Sequence, residues 1–360
     1  MKQVILGLLA GTALTTGAMA EAPRVVADIA PVHSLVARVM EGVGKPSLLI
    51  RPETSPHNYA MRPSEAKALQ EADLIFWIGH ELTPRLEKNI ETIGQNAISV
   101  ELIGTPGLVT LSFRENPVFE LTEEGHEGHD DHAEHKHDDH GHGDHDDHAE
   151  HKDEAHGHDD HDGHSKHNDH TDEHGDHKDG HHDHAHDHDG TDPHIWLDPQ
   201  NAVAMTAAIA DALAKADPDN ASTYAANAQA AEQELGDMIA ELKAVLAPVE
   251  DKPFVVFHDA YHYFENRFGL EAAGAILVGD AASPSAGRLA ELRDAMQERQ
   301  VVCVFAEPQF DPKLVKAVAE GVNIRSVELD PLGVGQTQGA TLYTGMVRSM
   351  ATDIAGCLKD

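Results

Sequence analysis

The chain has 360 residues and a formal net charge of −37, with 29 histidines and only 2 cysteines. No basic patch offsets that charge, which excludes nucleic acid and anionic membrane surfaces as partners. Two cysteines are too few for a cysteine-rich metal framework.

Residues 1–20 have the pattern of a secretory signal. Lys2 is followed by an apolar run that is too short for a membrane span, and Ala18-Met19-Ala20 offers the small residues of a cleavage site. No cysteine follows for a lipid anchor. The mature part is expected to start at Glu21, outside the cytoplasm. In such a setting Cys303 and Cys357 read as a disulfide between a strand and the C-terminal helix, with two buried thiols as the alternative.

Apolar runs of strand length lie at 24–29, 47–50 and 74–78, separated by helical patterns at 34–41 and 64–71. Strands alternating with helices predict a parallel sheet covered by helices. The same rhythm returns with strands at 254–258, 301–306 and 324–329 and helices at 262–268, 284–298 and 312–321. The expected fold is therefore α/β in two lobes. Between them, residues 219–247 are rich in Ala, Glu and Gln and bounded by Pro218 and Pro248, which predicts one long, rigid linking helix. The organisation read from the chain is an N-terminal lobe over 21–122 and 193–218, the helix 219–247, and a C-terminal lobe over 248–360.

Residues 123–192 interrupt the first lobe. They hold 23 of the 29 histidines and 26 acidic residues against four lysines. With almost no apolar side chains, nothing there offsets the entropy of ordering the chain, so a disordered loop is expected. Its composition fits a low-affinity metal collector, with an acidic solubilising loop as the bland alternative.

Six histidines lie outside that tract: His33, His57, His80, His194, His258 and His262. His57 follows the second strand in Ser-Pro-His-Asn-Tyr. His194 sits in Asp-Pro-His-Ile-Trp-Leu-Asp-Pro, and His258 ends the Phe-Val-Val-Phe strand. Ligand groups in parallel α/β units gather at the carboxyl ends of strands, a placement that suits His57, His258 and Asp330. His258 and His262 also have the spacing of a zinc-protease helix, but Asp259 is a methylene shorter than the Glu such a base requires. Gly333-Val-Gly335 lacks the setting of a nucleotide loop. Glu307 is expected near the cleft, either orienting a ligand histidine or forming a salt bridge.

The segments around His57, His194 and His258, together with Val304-Phe-Ala-Glu-Pro-Gln-Phe and Leu329-Asp-Pro-Leu-Gly, resemble in order those of the metal-binding solute-binding proteins of zinc ABC importers. The resemblance implies two α/β lobes with a metal in the cleft between them. It implies His57, His194, His258 and Asp330 as the ligands of a Zn²⁺ cargo, and an inner-membrane ABC-type permease as partner of a monomeric periplasmic receptor. Three imidazoles suit zinc, whereas an oxygen-rich set would suit manganese. Where some relatives have Glu before the first ligand, this chain has Pro56, which leaves the fourth ligand to Asp330 or water. Near Ala273 it offers no histidine for a second site. The alternative functions are a periplasmic zinc buffer or chaperone without a transporter and, further off, a zinc-dependent hydrolase.

Overall fold

A computed structural model describes residues 22–114, 116, 118–119, 190–277 and 284–359. The signal segment and nearly all of the histidine-rich tract lie outside these residues.

Two four-stranded parallel sheets organise the described chain. The first comprises β1 (Val25–Ala27), β2 (Ser47–Leu48), β3 (Leu74–Trp77) and β4 (Ile98–Glu101) in the order β2-β1-β3-β4. Helices α1 (Ala30–Val39), α2 (Pro63–Glu71) and α3 (Pro84–Thr92) join its strands. Each helix carries proline in its first turn, where a missing N–H costs nothing and the fixed φ suits the helix.

The second half repeats this topology. Strands β5 (Phe254–His258), β6 (Ala272–Leu277), β7 (Cys303–Ala306) and β8 (Arg325–Glu328) stand in the order β6-β5-β7-β8, again all parallel. Helices α6 (His262–Phe268), α7 (Ala286–Glu298) and α8 (Lys313–Ala319) connect them, and α9 (Leu342–Lys359) ends the chain. A disulfide joins Cys303 at the start of β7 to Cys357 in α9.

Between the sheets run α4 (Pro199–Ala216) and α5 (Ala221–Leu246). The 26 residues of α5 rise to about 39 Å. Its buried side chains, Tyr224, Ala231, Leu235, Met238, Leu242 and Leu246, recur at helical spacing and form one stripe. That stripe packs on α4, α1 and α9, so the larger core runs without interruption from one half into the other. Alanine-rich helices approach closely, and their shared face fills the space between the sheets. A smaller second core of Val255, Phe257, Ile276, Met296 and Val304 lies under α7 and α8.

In each sheet the strand order reverses between the first and third strands, β1/β3 and β5/β7. Crevices at such switch points are where open α/β sheets bind ligands. His258 and Glu307 stand at the second of them.

Candidate metal centre

Each histidine of the cluster reaches it from a different kind of element. His57 lies in the loop after β2. That loop is shaped by a turn from the Pro56 carbonyl to Tyr59 N (3.2 Å). It is held at its far end by Glu65 of α2, which accepts from Tyr59 Oη (2.9 Å) and Arg62 N (2.7 Å). His194 immediately precedes the 3₁₀ turn Ile195–Leu197. Its Nδ1 lies 2.7 Å from Asp192 Oδ1, which also accepts from the His194 backbone N–H (2.9 Å). His258 ends β5, and its Nδ1 lies 2.6 Å from Glu307 Oε1.

Both carboxylates are buried and accept from Nδ1–H, which leaves Nε2 as the lone-pair nitrogen on His194 and His258. One potential ligand nitrogen from each of His57, His194 and His258 lies within 4.8 Å of the other two. The Nε2 atoms of His57 and His194 are 3.2 Å apart. Two nitrogens at about 2.0–2.1 Å from one tetrahedral Zn²⁺ would be separated by about 3.3 Å, so that pair already has the required spacing. Trp196, Phe310, Pro331 and Leu332 wall the small cavity onto which the three rings open.

Asp330 is not brought into this cluster. Its Oδ1 accepts from Leu332 N (3.1 Å) and Gly333 N (2.9 Å), and its Oδ2 from Gly335 N (3.1 Å). It thus pins the turn after β8. That turn requires glycine at 333, where φ is +79° and a Cβ would meet Leu342 at 2.8 Å.

His258 and His262 do not share a helix. One ends a strand and the other starts α6. Asp259, the base in the hydrolase reading, is buried in an ion pair with Arg114, which also pairs with Glu265 at 2.8 Å. That geometry removes the zinc-protease arrangement. His262 lines a different cavity, beside Arg114 and Phe119. His33 is buried with Nε2 3.1 Å from the Pro46 carbonyl, and His80 pairs with Glu87 at 2.6 Å.

Three residues of this region escaped sequence reasoning. Asp192 was hidden by its position at the end of the acidic tract, yet the chain is part of the fold from residue 190. Phe113 N donates to the Gly190 carbonyl (2.9 Å), Asp192 N to the Leu111 carbonyl (2.8 Å), and Ser112 and Thr191 form an antiparallel bridge. Arg114 carries no local signal, because its partners are far away in sequence, and the motif that contains Gln309 gives no sign of its bond to Pro52.

The profile of a family described as "Zinc-uptake complex component A periplasmic" matches residues 25–357. A high-affinity zinc uptake system protein ZnuA from Paracoccus denitrificans is 46% identical over 355 residues, covering 98% of this chain and 97% of that protein. The protein of the same name from Brucella suis is 44% identical over 335 residues, covering 93% and 91%. A crystal structure of ZnuA superposes with a TM-score of 0.66 at 22% identity, covering 93% of this chain and 99% of that one, a likeness of fold.

Proposed function

The chain belongs to the family of periplasmic A components of zinc-uptake complexes, and on that premise we propose that it captures Zn²⁺ in the periplasm and hands it to an ABC-type permease. The observation that carries this reading is the convergence of His57, His194 and His258, two of them oriented by buried carboxylates. Neutral imidazoles favour Zn²⁺ over Mn²⁺ or Ca²⁺, which prefer oxygen. As in the zinc uptake system proteins it resembles, zinc is cargo here. With the Asp330 oxygens engaged by three backbone N–H groups, water takes the fourth position in this arrangement.

The histidine-rich tract serves as a weaker collector, since its composition is that of a low-specificity metal-binding segment. Among the described residues no helix is long and apolar enough to cross a membrane. The protein works as a monomer whose two halves present the cleft to the permease. Zinc titration of the wild type and of His194→Ala tests the site: one tight equivalent is expected in the first and none in the second. Zinc uptake by permease vesicles should require the protein. Uptake that proceeds equally without it would favour a zinc buffer.

A further inference from the structure

We propose that Gln309 is the positioning residue for His57 and that its side-chain bond across the cleft sets the rate of zinc release. This rests on the three-histidine reading above. His194 and His258 are each held by a carboxylate, and the loop that carries His57, residues 51–62, is itself held at both ends. Glu65 secures the end nearest α2. At the other end, Gln309 Nε2 donates to the Pro52 carbonyl at 2.9 Å, five residues before His57 and 257 residues away in sequence. The same Nε2 lies 3.5 Å from Asp330 Oδ1. Both partners only accept, which fixes the orientation of the amide.

Gln309 stands two residues after Glu307. One short turn following β7 therefore holds His258 through Glu307 and the His57 loop through Gln309. Trp196 completes the arrangement by donating Nε1 to the Pro331 carbonyl at 2.9 Å, which ties the His194 segment to the turn that Asp330 pins. His57 is also the least buried of the three ligands. The Gln309–Pro52 bond is thus a latch: it ties the loop that carries His57 to the turn whose Glu307 holds His258. Among the described residues Gln309 Oε1 accepts no hydrogen bond, so Nε2 makes the side chain's only contacts of that kind there.

The test uses the full chain loaded with one equivalent of zinc and mixed with excess chelator. Gln309→Met and Gln309→Glu keep the side-chain length and lose the N–H donor. Each should speed the slow release phase about fivefold to tenfold, the worth of one hydrogen bond. The association rate should stay unchanged, and the melting temperature of the zinc-free protein should fall only by the few degrees that one hydrogen bond is worth. Hydrogen exchange should rise at residues 53–59. In a His57→Ala background the same substitutions should alter release less than twofold, since a positioning role acts through that ligand. Unchanged release in both variants, or equal acceleration with and without His57, overturns the latch. His194→Ala separates the two levels. If it abolishes the slow phase while Gln309 variants are silent, the latch alone fails. If the slow phase survives His194→Ala, the three-histidine reading falls and the latch with it.

Discussion

His258 and Glu307 lie 49 residues apart in sequence, and 2.6 Å separates Nδ1 of one from Oε1 of the other. They stand at the ends of neighbouring parallel strands, so the register of the sheet itself fixes the ligand tautomer. Asp192 does the same for His194 from a position only two residues away. Glu307→Ala or Asp192→Ala should each lower zinc affinity about 10- to 100-fold, the usual cost of losing a buried partner behind a metal ligand. Competition with a zinc indicator checks this, and affinities within twofold of wild type would rule out the orienting role.

Two deletions of the tract should behave differently. Removing residues 123–187 leaves the pairing of 111–113 with 190–192 in place and should retain one tight zinc site while the weak ones vanish. Removing 123–192 also takes Asp192 and should weaken the tight site as Asp192→Ala does. Calorimetry on both distinguishes the outcomes. Equal affinities would contradict the role given to Asp192.

Asp330→Asn decides between a ligand and a structural pin. With water as the fourth ligand, zinc affinity should change less than about fivefold, and the protein should lose about 1–2 kcal/mol as the bond to Gly335 N is removed. An affinity loss above 100-fold, measured by the same competition, would place Asp330 in the coordination sphere.

The disulfide closes a loop with a sequence separation of 54. In the chain-entropy description that is worth about 4 kcal/mol. Cys303→Ser with Cys357→Ser should lower the urea midpoint accordingly, with zinc affinity unchanged because neither sulfur faces the cavity. Free thiols detected by alkylation of the unreduced protein would contradict the bond.

Asp28 makes stability depend on pH. It is fully buried, and desolvation pushes its carboxyl up to about 7 against the hydrogen bonds from Ile78 N (2.8 Å) and Ile29 N (2.6 Å). The folded state therefore binds a proton that the unfolded chain releases near pH 4. This stabilisation is complete below that pH and is lost as pH rises through about 7. Between about pH 5 and pH 8 the loss should be on the order of 2–3 kcal/mol. Asp28→Asn should flatten that part of the curve. Urea titrations at both pH values would show it, and an unchanged slope would refute the assignment.

Much of this was legible in the chain. Strands β1, β3, β5 and β7 are continuous apolar runs because both faces of a parallel sheet are covered. β4 was missed: Ile98-Ser-Val-Glu is a largely exposed edge strand with no such run. β6 was missed because Ala-Ala-Gly-Ala is poor in strand-forming side chains. Helix α4 escaped notice as well, although Asp198 before Pro199 is a strong start signal and accepts from Gln200 N at 2.8 Å. At the site, motifs exposed the three histidines and Glu307. Gln309 depends on a contact across 257 residues, and composition masked Asp192.

The bridge between Ser112 and Thr191 bears on how such a chain can change over evolutionary time. The described chain is anchored at Phe119, which bonds to Ala273, on one side of the insertion and at Gly190, which bonds to Phe113, on the other, so the insertion can change length without moving either anchor. Doubling an inserted loop raises its closure cost by only about 0.6 kcal/mol. Histidines can therefore be gained or lost there by duplication or slippage, adjusting how much metal is gathered while how tightly it is held stays set by His57, His194 and His258.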